Sequence, residues 1–259
     1  MIHLLQSSLC LIAIALATVG CKDRQTSSTP PPEPTPTEAK AELPPDATGA
    51  PPPSTRKAAM QKHFAQAIAA KDTLLFGDLD ATLRSLEWLA KYGASDSSLE
   101  PWEPHLGRVR AIATSATATR DAQRLAMAVA QIARECGACH ATLGIEPGVP
   151  LVTSAPKDLS FRDHMIGHKW ALDRMWAGLT TPSDLLWKSG AEYLAASPEH
   201  LRKLSSYGDQ ADKAMDLASD IHRLAGEATT EEQPERQMVL LGKFLGACAG
   251  CHALPRIDG

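Results

Sequence analysis

Aromatic residues are scarce in this chain: they make up 5% of its 259 residues, whereas alanine is abundant. This composition favours packed helices over β-sandwiches. Basic residues are not in excess either, since the formal net charge is -4. A negatively charged chain is not attracted to phosphate backbones, so the charge argues against a nucleic-acid partner.

Cysteine is also sparse, with six residues in all. Cys10 lies in an N-terminal apolar run, and Cys21 ends that run. The other four form two patterns of the same spacing, Cys136-Gly137-Ala138-Cys139-His140 and Cys248-Ala249-Gly250-Cys251-His252. No cysteine therefore remains for a structural disulfide.

The two CxxCH patterns are typical of covalent haem attachment. Two thiols three positions apart can add to the two vinyl groups of one porphyrin, and the imidazole of the next residue then reaches the iron. We therefore predict two covalently bound haem c groups. Their thioether cysteines are Cys136, Cys139, Cys248 and Cys251, and their first iron ligands are His140 and His252.

Two other chemistries use paired cysteines. A redox dithiol requires a strand–helix context of the thioredoxin type, which neither pattern has. A zinc site is disfavoured because the patterns lie 112 positions apart and each has its own histidine. Both chemistries stay open as alternatives to haem.

The N-terminal segment is typical of an export signal. Leu9–Gly20 is apolar apart from Cys10 and Thr18, and it is too short to span a bilayer as a mature helix. Thr18-Val19-Gly20-Cys21 resembles a bacterial lipobox, although Thr18 replaces the usual leucine and the n-region has no Lys or Arg. We expect residues 1–21 to be a signal peptide that ends in lipidation of Cys21. An ordinary cleaved signal and an uncleaved anchor stay open.

The segment that follows, residues 22–55, is rich in Pro, Thr, Ser and Ala. Such a composition cannot bury enough apolar surface to offset its ordering entropy, so we predict a disordered linker. It would give a tethered protein reach on the periplasmic side of a bacterial membrane. Export agrees with the haem prediction, because c-type haem is attached on the exported side.

After residue 55 the chain has helical periodicity and repeats itself. His63 and His164 lie 101 positions apart in similar sequence, and the CxxCH patterns repeat later in the same order. We predict two all-α domains, 56–146 and 158–259, joined by a linker at 147–157. Each is expected to be an up-down four-helix bundle with CxxCH at the end of its last helix, because its four amphipathic segments have short connections.

Capping residues and helix breakers locate the segments. In the second domain they predict helix starts at Ser160, within Thr181-Pro182-Ser183-Asp184, at Ser197-Pro198 and at Thr230. In the first domain we expect breaks near Gly77, within 93–104 and within 117–121.

A four-helix unit whose last helix runs into CxxCH resembles the class II c-type cytochromes, the cytochrome c-prime type. The resemblance covers residues from about 56 to 146 and from about 158 to 255. It implies a haem inside each bundle, with His140 and His252 as proximal iron ligands. The family usually has one such domain, so a tandem dihaem form departs from its pattern.

The second iron ligand is predicted from position. In an up-down bundle the first helix runs antiparallel to the fourth, so its N-terminal part lies beside the haem. His63 and His164 occupy that part, and we predict that each binds iron there. Family members commonly have an apolar residue or methionine at this face. His168, one turn beyond His164, and Met60 are alternatives.

We expect the histidines without a counterpart to lie on exposed helix faces. They are His105, His200 and His222.

These features predict an exported, membrane-tethered dihaem c-type cytochrome and not an enzyme. With two imidazoles on each iron no site is open for a substrate, so the protein would pass single electrons between redox partner proteins of the periplasm or membrane. Binding of nitric oxide or carbon monoxide at five-coordinate haems stays open, as does a peroxidase-type enzyme. The sequence shows no further acid–base group for the latter. A homodimer through outer helices, which family members often form, also stays open.

Overall fold

The computed structural model describes residues 53–92, 97–148, 154–157, 160–196, 204 and 207–255. The predicted signal peptide, Cys21, most of the 22–55 linker and His200 lie outside these residues. The secondary structure of the described residues is helical throughout, without a strand, so the predicted all-α class is confirmed. None of the described helices is both long enough and apolar enough to cross a membrane.

The described residues form eight α-helices, in two groups of four along the chain. They are α1 (Pro53–Leu75), α2 (Leu79–Lys91), α3 (Glu103–Ala116), α4 (Ala122–Leu143), α5 (Phe161–Thr180), α6 (Asp184–Ala195), α7 (Ala211–Ala228) and α8 (Pro234–His252). A short 3-10 helix, Ser97–Trp102, precedes α3. We call α1–α4 the first half and α5–α8 the second half.

Short polar side chains begin four of these helices. Ser160 and Ser183 each accept a backbone N–H from the first turn of α5 and α6, which confirms both predicted starts. Asp78 and Asp121 cap α2 and α4 in the same way. The expected break after α1 is also present at Gly77, whose φ of 76° suits glycine.

The start of the last helix was predicted wrongly. The cap was placed at Thr230, but α8 begins at Pro234 after Gln233. The N–H groups of the first helical turn have no partner within the helix, so proline, which lacks an N–H, loses no hydrogen bond there. Its φ is also already helical, so it favours the first helical position. The third helix of this half begins at Ala211. Ser197-Pro198, the predicted start, lies outside the described residues.

The two halves share one apolar core. Within each half, consecutive helices pack together and the first helix packs against the fourth. One cluster of buried side chains then continues from the first half into the second. Its largest members include Leu86, Leu125, Leu172, Trp187 and Phe244. All described helices accordingly belong to one compact unit, Thr48–Gly259.

Helices α4 and α8 form the most extensive contact between the halves. Gly246 faces Gln123 and Gly242 faces Met127, so the absent side chains let the two helices approach closely. Arg134 and Glu235 are joined by an ion pair of 2.6 Å farther along. The paired residue numbers rise on one helix as they fall on the other, so the helices are antiparallel. The two CxxCH patterns therefore lie at opposite ends of this helix pair.

Each CxxCH pattern packs on the end of the other half's first helix. A Cβ added to Gly137 would lie 2.1 Å from the carbonyl oxygen of Leu179, near the end of α5. Gly77, just after α1, lies in ordinary contact with Ala249 and His252 of the second pattern. The two halves are thus related by an approximate two-fold arrangement in which each helps to build the other's CxxCH region.

A buried lysine joins α1 and α5 between these two regions. Lys71 is 2% exposed, and its ammonium group pairs with Asp72 at 2.5 Å and with Asp173 of the other half. Lys169 pairs with Asp173 at 2.7 Å. A charge buried this deeply requires its partners, so the network fixes the position of one half on the other.

Candidate functional site

The first CxxCH pattern opens into a cavity of about 630 Å³. Cys136, Cys139 and His140, near the end of α4, line one part of it. His63 from the N-terminal part of α1 also lines this cavity. Four residues singled out from the sequence are therefore brought into one cavity, although His63 and Cys136 are 73 positions apart in the chain.

The ring of His140 is oriented by the other half. Its Nδ1 lies 2.7 Å from the carbonyl oxygen of Thr180, the last residue of α5. A carbonyl can only accept a hydrogen bond, so Nδ1 donates its proton and Nε2 keeps a lone pair. Metal-binding histidines are commonly held in this way, because the hydrogen bond fixes both the tautomer and the direction of the ring.

His63 is neutral at neutral pH. Its side chain is buried, with 6% exposed, and its pKa is lowered from 6.5 to about 4. Burial is the largest cause, followed by the positive charge of Arg110 and by His140. The ring also lies 5.2 Å, centroid to centroid, from Tyr92, whose hydroxyl donates to the Ala59 carbonyl at 2.8 Å. A neutral imidazole held in this way has a lone pair to give to a metal.

Three of the four CxxCH cysteines have little thiolate character. Burial raises the pKa of Cys136 to about 12, and burial likewise raises the pKa of Cys248 to about 12. The half-buried Cys139 also has a raised pKa, chiefly because of burial. Redox dithiols need at least one accessible thiol of lowered pKa, so the environment of Cys136 and Cys139 is unfavourable for that chemistry.

The second CxxCH pattern lines a smaller cavity, of about 220 Å³. Cys248, Cys251 and His252 lie on one side of it, and His168 from α5 lines it too. Phe76, just after α1 of the first half, lies edge-on to His252 with ring centroids 5.6 Å apart. The second cavity therefore also takes part of its wall from the other half.

His164, the predicted second ligand in this half, is buried beside His168. Their ring centroids are 4.2 Å apart, and His222 of α7 lies 6.2 Å from His164. The possible metal-binding nitrogens of these three side chains all lie within 4.8 Å of one another. The structure thus places His164 in a group of three histidines, of which His168 lines the cavity.

The expectation of exposed positions was wrong for His105 and His222. His105 is buried and lines the first cavity, with its Nδ1 2.7 Å from Oε1 of Glu135. Arg108 donates to the same carboxylate oxygen at 2.7 Å. His222 is half-buried, and its Nδ1 lies 2.7 Å from the carbonyl oxygen of Leu194. His200 lies outside the described residues.

Sequence reasoning missed the group formed by His105, Arg108 and Glu135. Glu135 lies 30 positions from His105, on another helix, so no local spacing marks the pair. Trp102 was missed for the same reason: it is buried and lines the first cavity. One feature of the sequence could have indicated this group. Glu135 directly precedes Cys136, and a carboxylate on the inner side of a helix needs a hydrogen-bonding or charged partner.

Comparison with protein-family models, with curated protein sequences and with solved structures gives no match for this chain. The likeness to class II c-type cytochromes therefore rests on the CxxCH patterns and their helical setting.

Proposed function

We propose that this chain is a dihaem c-type cytochrome that carries single electrons between redox partner proteins. The observation that supports the proposal best is the first cavity, because it brings Cys136, Cys139, His140 and His63 together. In this proposal each half is a haem-binding four-helix bundle of the class II type. The contacts between consecutive helices, and between the first and the fourth of each half, agree with that arrangement.

The donor set fits a covalently attached haem. Cys136 and Cys139 would form the two thioether bonds, and Nε2 of His140 would bind the iron while the Thr180 carbonyl holds its Nδ1. In the second half Cys248, Cys251 and His252 would take the same roles. The haem supplies one-electron chemistry at its iron. The protein supplies attachment, ring orientation and an apolar surrounding.

His63 is proposed as the second ligand in the first half, and His164 or its neighbour His168 in the second. A closed, six-coordinate iron suits electron transfer, because no coordination position is open to a substrate. Nitric oxide or carbon monoxide binding would instead require His63 to leave the iron free. The position of His63 in the same cavity as Cys136, Cys139 and His140 supports the electron-transfer function over gas binding and over an enzyme of peroxidase type.

The location is also proposed from the sequence. Export by the 1–21 segment and lipidation at Cys21 would hold the protein on the periplasmic side of a bacterial membrane, with residues 22–55 as a linker. The partners would then be periplasmic or membrane redox proteins. A homodimer through outer helices is also proposed, on the basis of the resemblance to class II c-type cytochromes.

Spectroscopy of the exported protein tests the proposed function. We expect low-spin, six-coordinate iron at both haems and slow or absent carbon monoxide binding after reduction. His63→Ala should turn the first haem high-spin and let it bind carbon monoxide, whereas His105→Ala, which alters the same cavity, should leave the spin state unchanged. High-spin iron at both haems of the unaltered protein would contradict the proposal and favour gas binding.

A further inference from the structure

Three histidines of the second half lie together in a group, and the described residues of the first half contain no such group. His164 and His168 are one turn apart on α5, and His222 reaches them from α7. The ring of His168 lies 4.2 Å from that of His164 and 5.8 Å from that of His222. In the first half, the position 101 residues before His168 is the buried Ala67. The two halves therefore differ where a second iron ligand is expected.

The cavity distinguishes between the two histidines of α5. His168 lines it together with Cys248, Cys251 and His252, whereas His164 is buried beside His168 with 4% of its surface exposed. Resting on the dihaem function proposed above, we propose that His168, and not His164, is the distal ligand of the second haem. His164 and His222 are then positioning residues that hold the ring of His168.

The orientation of His222 explains how this holding works. Its Nδ1 donates to the Leu194 carbonyl at 2.7 Å, so in the neutral ring Nε2 is an acceptor. One ring nitrogen of His222 lies within 4.8 Å of a ring nitrogen of His164 and of His168. An imidazole that binds iron through one nitrogen donates from the other, and an acceptor there fixes the ring and makes the ligand more basic.

A consequence follows for the two haems. His63 in the first half has a tyrosine ring as its aromatic neighbour, whereas His168 has two imidazoles. A more basic ligand stabilises the oxidised iron, so the second haem should have the lower reduction potential. The chain would then hold two inequivalent redox centres, despite its repeated sequence.

A matched pair of variants in the intact dihaem protein tests the assignment. His168→Ala should convert one of the two haems to high-spin iron and add one carbon monoxide site per chain. His164→Ala, the same change one turn away, should leave both irons low-spin and shift only the potential of the second haem. The reverse pattern, in which His164→Ala opens the iron, would overturn the proposal.

A second pair of variants separates loss of the iron ligand from loss of folding. His168→Met should keep the iron six-coordinate and raise the potential of that haem, because methionine ligation raises it. His164→Met should not produce methionine ligation. An unchanged potential in His168→Met would count against the assignment. Absence of haem, or high-spin iron in the unaltered protein, would refute the proposed function and this ligand with it, whereas exchanged roles of His164 and His168 refute the ligand alone.

Discussion

His140 of the first half and Thr180 of the second are joined by a hydrogen bond of 2.7 Å between Nδ1 and the carbonyl oxygen. The side chain proposed to bind one iron is thus oriented by a helix end that belongs to the other half. The bond forms only when the halves are packed together. We therefore regard the two halves as one functional unit, in spite of their separate CxxCH patterns.

The close approach at Gly137 gives a direct test of this dependence. Gly137→Ala would place a Cβ 2.1 Å from the backbone oxygen of Leu179, which cannot move as a side chain can. We expect a loss of stability of about 1–3 kcal/mol, typical of overpacking. Thermal unfolding of the variant and of the unaltered protein measures it.

The second CxxCH pattern supplies the control. A Cβ on Gly250 would meet its nearest neighbour, Leu217, at 3.7 Å, an ordinary contact. Gly250→Ala should leave stability unchanged or raise it by up to about 1 kcal/mol through helix propensity. Equal effects of both substitutions would show that the Leu179 contact is unimportant.

The buried ammonium group of Lys71 should be essential to the contact between α1 and α5. Lys71→Met removes the buried charge between Asp72 and Asp173 and leaves the two carboxylates to share the partly exposed Lys169. We expect a loss of about 3 kcal/mol, at the low end for buried pairs, because both aspartates are about one-third exposed.

Chemical denaturation checks this loss. Lys71→Met combined with Asp173→Asn should recover part of the stability, since Lys169 then has one carboxylate to neutralise, that of Asp72, in place of two. Arg134→Ala breaks another ion pair between the halves, but Glu235 is 67% exposed there, so the loss of stability should be small. A loss in Lys71→Met no larger than that in Arg134→Ala would contradict the assigned role.

Glu135 should make the protein sensitive to acid. Burial raises its pKa, but hydrogen bonds from Arg108 and His105 outweigh burial and leave the pKa below the ordinary 4.5. The unfolded chain therefore binds a proton more readily than the folded one, and stability is lost as pH falls from about 4.5 through the folded pKa. Glu135→Gln should flatten this part of the profile.

Melting temperatures measured from about pH 6 down to about pH 3 test the point. Glu235→Gln is a suitable control, because that carboxylate is exposed and its pairing with Arg134 should contribute little. An acid profile of Glu135→Gln that matches the unaltered protein would exclude Glu135 as the sensitive group.

The two proposed haems should behave as separate magnetic centres. The pairing of Gln123 with Gly246 places Cys139 and Cys251 at opposite ends of the α4–α8 pair. At 1.5 Å per residue, their separation along the helices is about 30 Å. Electron paramagnetic resonance of the oxidised protein should show two uncoupled low-spin signals, and strongly coupled signals would contradict this arrangement.

Much of the local structure follows from the sequence. Ser160 and Ser183 begin helices as predicted because a serine hydroxyl can satisfy a free N–H of the first turn, which is a local interaction. The break at Gly77 is equally local. The start of α8 was misplaced because Thr230 and Gln233 imitate a capping box, whereas the proline at position 234 decides the start.

The contacts between the halves could not be predicted in the same way. Thr180 and His140 are 40 positions apart, and Gly246 and Gln123 more than 100, so no periodicity relates them. One signal was present: Gly137, Gly242 and Gly246 stand inside helices, where glycine costs stability unless close packing requires it. The burial of His105 and His222 likewise depends on tertiary contacts. Both were expected to be exposed because neither has a counterpart in the other half of the sequence.

The most direct test of the central claim is the intact mass of the mature, exported protein, measured together with its haem absorption. We predict a mass increase that corresponds to two haems per chain. One increment should be lost when Cys136 and Cys139 are replaced by alanine, and the other when Cys248 and Cys251 are replaced. A mature chain that carries no haem, or that carries zinc bound by these cysteines, would contradict the claim.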